Sequence, residues 1–296
     1  MTQPLPLSAQ VVLITGASTG IGAALAKLLA TKAPGIRLVL AARRLDRLQV
    51  VASFCEEAGA KTLIVPTDLS QVSQAEALVD AAFKAFGQVN VLVNNAGYGQ
   101  MGPVELVSIP AVERQLQVNL VAPIALIQAL IPSMRQQGSG RIINVSSIAG
   151  RLSFPFGGIY SASKFGLEAL SDALRMELQP FNIDVSVIEP GPVKTEFFQV
   201  AQKMTSGSIE APETTPYRAC FEHMEGFEER MKGNTWSSER VAQVIYQAIA
   251  ATKPRPRYIA ATGGEILLFM MEKVLPTWMV DAFWQKLYGI DRISGN

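Results

Sequence analysis

The stretch Val11-Val-Leu-Ile-Thr15-Gly16-Ala-Ser18-Thr19-Gly20-Ile21-Gly22 opens as an apolar β-rich run and turns through three glycines. It leads into an Ala/Leu-rich segment, residues 23–31, with apolar positions at helical spacing. That order reads strand, tight loop, helix. The alternation recurs along the chain: strand 37–41 before helix 45–58, strand 62–66 before helix 74–86, and strand 89–94 before a longer helical region. Further strands are read at 141–146 and 184–188, and one more at 258–261 after Pro254-Arg-Pro-Arg257. Parallel strands need a crossover between them, so this repetition predicts an α/β fold, a doubly wound parallel sheet with helices on both faces.

A chain of 296 residues accommodates one large α/β domain. The expectation is a single domain over 1–296, with its core at 10–262, a substrate lid over 196–236 and an apolar helical C-terminal extension at 263–296. The lid rests on Ser/Gly/Pro/Thr clustering between 203 and 216, after which helical spacing resumes over 238–251. Hydrophobic residues make up 49% and charged residues 17%, which is material for a core and unlike a disordered chain. A formal net charge of +1 gives no field for steering polyanions, so no nucleic-acid partner is expected. Mean hydropathy is +0.22. The longest apolar runs are broken by charges or prolines short of the roughly 20 residues of a membrane span, so none is expected. Two cysteines, Cys55 and Cys220, exclude a disulfide framework and a Cys-rich metal site. With no basic segment followed by an apolar one at the N-terminus, a cytoplasmic location is expected.

At the first strand-to-helix junction, backbone N–H groups and the helix dipole can face a phosphate, and Gly16, Ser18, Thr19, Gly20, Ile21 and Gly22 would form the cradle. The spacing Gly16-x3-Gly20-x-Gly22 departs from GxGxxG, and a tight turn is the alternative reading. In a Rossmann-type fold an acidic residue about twenty positions further on binds the ribose of NAD, whereas a nearby Arg accommodates the extra phosphate of NADP. Here Arg43 and Arg44 occupy that slot, so NADP(H) is the expected cofactor; merely solvated arginines are the alternative. Asp68-Leu69 follows the third strand, and Asp68 either bonds the adenine amine or caps the next turn.

Tyr160-Ser-Ala-Ser-Lys164 opens a helical segment, and a spacing of four puts both side chains on one face. A nearby ammonium favours phenolate and would draw the phenol down from a pKa of about 10 toward a working range. Taken in order, Thr15 to Gly22, Asn94-Asn95-Ala96-Gly97, Asn119, Ser147, Tyr160/Lys164 and Pro190-Gly191 resemble the short-chain dehydrogenase/reductase family over residues 10–198. The resemblance implies an active site of Asn119, Ser147, Tyr160 and Lys164 without a metal. In it Tyr160 moves a proton, Ser147 bonds the substrate oxygen, Lys164 holds the nicotinamide ribose and Asn119 helps hold a relay water. It also implies that Asn95, Ala96 and Gly97 close the cofactor cleft and that Pro190, Gly191, Val193 and Thr195 contact the carboxamide.

Phe154-Pro-Phe-Gly157 and Glu189-Pro-Gly-Pro-Val193 are similar to segments of 17β-hydroxysteroid and retinol dehydrogenases. The function implied is an NADP(H)-dependent carbonyl reductase interconverting carbonyl and alcohol on a small lipophilic substrate. Leu152, Phe154, Phe156, Phe197, Phe198 and Met204 together predict an apolar pocket, while each taken singly reads first as packing in the core or at a subunit contact. His223 bonds a distal ligand oxygen or is structural. The tail from Gly264 to Trp284 is read as closing the pocket or completing a homo-oligomer, a dimer or tetramer, in preference to a membrane anchor, because its flanks Glu265, Glu272 and Asp281 are acidic. Competing readings are a 3-oxoacyl-carrier-protein reductase, a non-catalytic NADP(H)-sensing protein and a membrane-associated scaffold.

Overall fold

Val11–Thr15 (β1) is buried along its whole length, with Val12 and Ile14 in one core and Val11 and Leu13 in another. A strand apolar on both faces belongs inside a sheet covered on both sides. The computed structural model describes residues 5–207, 209, 211–224, 226, 233 and 235–293. Of the lid expected over 196–236, residues 208, 210, 225, 227–232 and 234 lie outside the described residues, as do 1–4 and 294–296.

Along the chain β1 is followed by α1 (Gly20–Lys32), β2 (Arg37–Ala42), α2 (Leu45–Glu57), β3 (Lys61–Pro66), α3 (Val72–Phe86) and β4 (Val91–Asn94). Then come α4 (Ile109–Leu116), a π-helical turn Gln117–Val121, α5 (Ala122–Gln137), β5 (Gly140–Val145), α6 (Gly158–Leu178) and β6 (Ile183–Pro190). The described remainder comprises β7 (Val193–Lys194), α7 (Phe197–Ser206), α8 (Arg218–Met224), β8 (Trp236–Ser237), α9 (Ser238–Ala250), β9 (Arg257–Ala260), α10 (Gly264–Phe269) and α11 (Thr277–Tyr288).

Seven strands pair in parallel in the order β3-β2-β1-β4-β5-β6-β9, and β7 and β8 form a separate pair. Buried residues of α1, α2 and α9 fill one face, and those of α3, α5 and α6 the other. This is the doubly wound sheet expected. The chain winds outward one way from β1 and the other way from β4, so a crevice opens beyond the carboxyl ends of those two strands. The expected strand at 89–94 begins only at Val91. Before it, the Asn90 side chain accepts the Val11 N–H at 2.8 Å in place of a backbone carbonyl.

Two expectations change. Residues 203–216 include the end of α7 and are not purely a loop insertion. And α4, the π turn and α5 form one continuous run, Ile109–Gln137, long and apolar enough by length and composition to cross a membrane, in spite of its prolines. Pro110 stands at a helix start, where a missing N–H costs little. Pro123 lacks the N–H that the Asn119 carbonyl four residues earlier would use, and the helix widens into its π turn there. In the fold this run covers the sheet: Leu126, Ile127, Leu130 and Met134 lie in the second core.

The tail is two-faced. Tyr288 joins Phe156 and Cys220 in a small third core, with Phe154, Met224, Trp284 and Leu287 packed around it. Ile266, Phe269, Trp278 and Phe283 point outward and are exposed. Buried charge ties the C-terminal part to the sheet. Arg257, at the start of β9, meets Glu168 of α6 at 3.2 Å, Asp172 at 2.6 Å and Glu189 of β6 at 3.2 Å. Arg151 meets Glu189 at 3.3 Å and Glu272, in the turn between α10 and α11, at 2.7 Å. The Glu189 side chain is 0% exposed, so two guanidinium groups are what keep its charge tolerable.

Arg257→Met is expected to strand Glu168 and leave Glu189 with Arg151 alone. The cost is about 3 kcal/mol, the low end for breaking a buried pair, since the arginine side chain is itself 30% exposed. Urea unfolding measures it, and adding Glu168→Gln should recover part of the loss. An unchanged midpoint in the single variant would show that these contacts carry no stability.

Candidate active site

Helix α1 begins at Thr19, an extended N-cap residue whose side chain accepts none of the first-turn amides. Those amides are left for another acceptor. The loop before them is held from below. Asn95 Nδ2 donates to the carbonyls of Thr15 at 2.8 Å and Gly16 at 3.3 Å, while Thr15 Oγ1 accepts from the amides of Asn95 and Ala96, both at 3.0 Å. A Cβ at position 22 would stand 2.4 Å from the Gly16 carbonyl oxygen and 2.6 Å from Asn95 Nδ2, so only glycine lets helix and loop approach this closely.

Above this loop lies a cavity of about 570 Å³. Gly16, Ser18, Thr19, Gly20 and Ile21 line it, while Gly22 sits beneath the loop as a packing position. Arg43 and Arg44 border the same end, together with Asp68 and Leu69. Asp68 Oδ1 accepts the Ser70 amide at 3.0 Å, which makes it a turn cap that also faces the cavity. Asn95, Ala96 and Gly97 line the middle, and Pro190, Gly191, Val193 and Thr195 the opposite wall.

Ser147, Tyr160 and Lys164 share this cavity. Tyr160 and Lys164 project from the first turns of α6, as their spacing predicts. Ser147 follows β5; its Oγ donates to the Pro190 carbonyl at 3.3 Å and accepts the Ala149 amide at 3.1 Å. Lys164 Nζ donates to the Val145 carbonyl at 2.9 Å. Burial draws the ammonium down to about 8, against the upward pull of Glu168 one helical turn away. Burial likewise pushes the Tyr160 phenol up to about 12, opposed by a hydrogen bond with Ser147. The Lys164 ammonium stands 6.0 Å from the ring centre, and desolvation of the charged form dominates at the phenol.

Asn119 is apart from the lining. Buried in the π turn, it donates to the Tyr98 carbonyl at 2.9 Å and Ser163 Oγ at 3.1 Å and accepts the Tyr98 amide at 3.2 Å. A Cβ at position 97 would stand 3.1 Å from its Oδ1 and 3.5 Å from Lys164 Nζ, so Gly97 is the spacer between Asn119 and Lys164.

The far end of the cavity is apolar. Leu152, Phe154, Phe156, Phe197, Phe198 and Met204 all line it, and the tail contributes Trp284, Leu287 and Tyr288. The Phe197 and Tyr160 rings are 5.4 Å apart, and Phe154 stacks on Tyr288 at 5.6 Å. Phe156 takes a left-handed φ of 63°, strained for a bulky residue and held by edge contact with Tyr217 and by Phe221 and Tyr288. His223 does not line the cavity; it lies against Gly289, where a Cβ would stand 2.9 Å from its ring. The sequence marks Thr15 only as the start of the glycine motif and not as its brace, and it does not single out Glu196, which borders the cavity and pairs with Arg44 at 2.9 Å and with Arg47. The signal for Thr15 was its place at the end of β1; Glu196 carried none, since its partners lie some 150 positions away.

Residues 10–206 match the family model described as short chain dehydrogenase. Human 17-beta-hydroxysteroid dehydrogenase type 1 is 34% identical over 255 residues, spanning 84% of this chain and 76% of its own. A Burkholderia phymatum short chain dehydrogenase/reductase, solved in complex with NAD, superposes with a TM-score of 0.79 at 28% identity, covering 92% of this chain and 95% of its own. A metagenomic short-chain oxidoreductase in complex with NADP does so with a TM-score of 0.67 at 29% identity, covering 85% and 96%. A helix start that lines the cavity, a buried Tyr-Lys pair beside a serine, and a family match over most of the chain agree: this protein belongs to the short-chain dehydrogenase/reductase family of oxidoreductases.

Proposed function

We propose that the protein is an NADP(H)-dependent carbonyl reductase that interconverts a ketone or aldehyde and its alcohol on a lipophilic substrate of steroid or retinoid size. The observation that carries this reading is one cavity with a glycine loop and two arginines at one end, an apolar lining at the other, and the buried Tyr160 phenol between them. The dinucleotide fits the first end. Its pyrophosphate suits the uncapped first turn of α1 over Gly20 and Ile21, and its 2′-phosphate suits the planar forks of Arg43 and Arg44. Bound there, the nicotinamide supplies or takes the hydride.

The chain's own residues do the rest. Tyr160 donates its phenolic proton to the carbonyl oxygen in reduction and takes it back in oxidation. Its raised pKa keeps the proton in place until the oxygen becomes basic. Ser147, hydrogen-bonded to that phenol, holds the substrate oxygen beside it. Lys164 places positive charge below the phenol and offers donors to the nicotinamide ribose. Asn119 keeps Tyr98 and the wall of the cleft in place. The aromatic lining excludes water from the substrate end, and the steroid dehydrogenase relative supports a lipophilic substrate. A cytoplasmic homo-oligomer completes the proposal, with the exposed face around Trp278 and Phe283 as the surface such an assembly would cover.

Tyr160→Phe keeps the ring against Phe197 and removes only the hydroxyl. Turnover of a ketone panel should fall by roughly two or more orders of magnitude while fluorescence titration shows NADPH binding retained. Turnover near that of the unmodified protein would sink the acid/base role. The cofactor assignment is tested separately: Arg43→Ala/Arg44→Ala should weaken NADPH binding by about tenfold to a hundredfold and leave NADH little changed. Equal affinities of the unmodified protein for the two cofactors would reject it.

A further inference from the structure

Glu196 occupies a position that the proposed chemistry leaves unused. It sits at the start of α7, immediately after Thr195 and immediately before Phe197. Its two carboxylate oxygens hold different partners: Oε2 takes Arg44 at 2.9 Å, and Oε1 takes Arg47. Arg44 also donates to Thr19 Oγ1, at the N-cap of α1, at 3.2 Å. A chain of contacts therefore crosses the mouth of the cavity, from the glycine loop through Arg44 to the segment after β6. On the inner side of the same segment the Thr195 methyl closes over Gly20, where a Cβ would stand 3.2 Å away. Thr19, Arg43, Arg44, Thr195 and Glu196 all border the cavity. The guanidinium that suits a 2′-phosphate already holds a carboxylate.

We propose that Glu196 is a cofactor-specificity residue: its carboxylate competes with the 2′-phosphate for Arg44 and so sets how tightly, and for how long, NADP(H) is held. The proposal rests on the NADP(H) reading above. Three observations carry it. The competing groups are both oxyanions that accept charge-assisted hydrogen bonds from a guanidinium, so one can replace the other. The pair is weak enough to be replaced, because the Arg44 and Glu196 side chains are 42% and 38% exposed and water screens their attraction. A phosphate monoester carrying nearly two charges outbids a single carboxylate on that footing. Finally, the displaced carboxylate has somewhere to stay, since Arg47, which does not border the cavity, already holds Oε1. Glu196 can therefore give up Arg44 without losing its counter-charge.

The arrangement acts in one direction. A carboxylate beside the phosphate site weakens binding of the phosphorylated cofactor and hastens its release, and it leaves a cofactor without that phosphate almost untouched. Release of the spent cofactor limits turnover in many enzymes, so a residue that loosens it can serve the catalytic cycle.

The test compares the unmodified protein with Glu196→Gln, which keeps the shape and removes the charge, and with Glu196→Asp, which keeps the charge. Dissociation constants for NADPH, NADH, 2′,5′-ADP and 5′-AMP are measured at low and high salt, with NADPH release followed by stopped-flow fluorescence. Glu196→Gln should bind NADPH and 2′,5′-ADP about threefold to tenfold more tightly at low salt and release NADPH correspondingly more slowly. NADH and 5′-AMP should change less than about twofold, and high salt should shrink the gain. Glu196→Asp should stay near the unmodified protein. If the unmodified protein prefers NADPH while Glu196→Gln binds it equally or less tightly, Glu196 is not a competitor and this inference alone falls. If the unmodified protein shows no preference for the 2′-phosphate, the NADP(H) reading falls and takes the inference with it.

Discussion

The joint between β1 and β4 is the constraint on which the rest depends. These two strands lie side by side, and the chain leaves them in opposite directions, so their carboxyl ends cannot be bridged by a helix packing across them. The crevice that results would be an unsupported gap without Thr15 and Asn95. Between them they satisfy two amides and two carbonyls of the loops that leave the strands. Backbone polar groups at this depth need partners, and here side chains provide them, which leaves the first-turn amides of α1 pointing at the cavity. Gly22 completes the joint, since any side chain there would drive loop and helix apart.

The opposite end of the cavity depends on a different kind of contact. Its walls come from segments far apart in sequence, the loop before α6, α7 and α11, and they meet through aromatic rings. The charges that anchor these segments lie behind the wall. Glu189 and Glu168 are buried carboxylates that burial pushes upward, Glu168 to about 7. Arg257 and Arg151 reach them from the edge strand and from the loop after Ser147. Glu168 stands on the same helix as Lys164 and favours its charged form, so the packing that anchors β9 also bears on the electrostatics of the site.

Much of this was legible in the sequence because it is local. Alternating apolar runs and helical periodicity disclosed the doubly wound sheet, and the four-residue spacing of Tyr160 and Lys164 disclosed their shared helix face. Leu152, Phe154, Phe156, Phe197, Phe198 and Met204 flank the motif segments, so an apolar pocket was legible there as a whole, whereas for any single residue packing was the stronger reading. What stayed hidden is what arises between distant positions. Arg257 reads as part of a Pro/Arg linker until β9 pairs with β6 and sets it against Glu189. Asn119 reads as a motif residue, yet its contacts follow from a π turn that Pro123 provokes four residues later. The burial of Tyr160 was hidden for a related reason: spacing reports that Lys164 is near, and it says nothing of how thoroughly both groups are removed from water.

The position of Arg257 bears on how the protein is made. Residues emerge from the ribosome in order, and domains organise as their parts become available. Glu168 and Glu189 are in place well before Arg257 follows them, so a nascent chain ending near α9 has Arg151 for Glu189 but lacks the guanidinium that pairs with Glu168. Until β9 adds itself to the edge of the sheet, closing β6 over α6 leaves Glu168 without its guanidinium and Glu189 with Arg151 alone. The nucleotide half, whose joint lies wholly between residues 11 and 97, is under no such delay. The supporting contacts of the phosphate end are thus all present early on the growing chain, whereas the charge anchor behind the substrate end is complete only with the last strand.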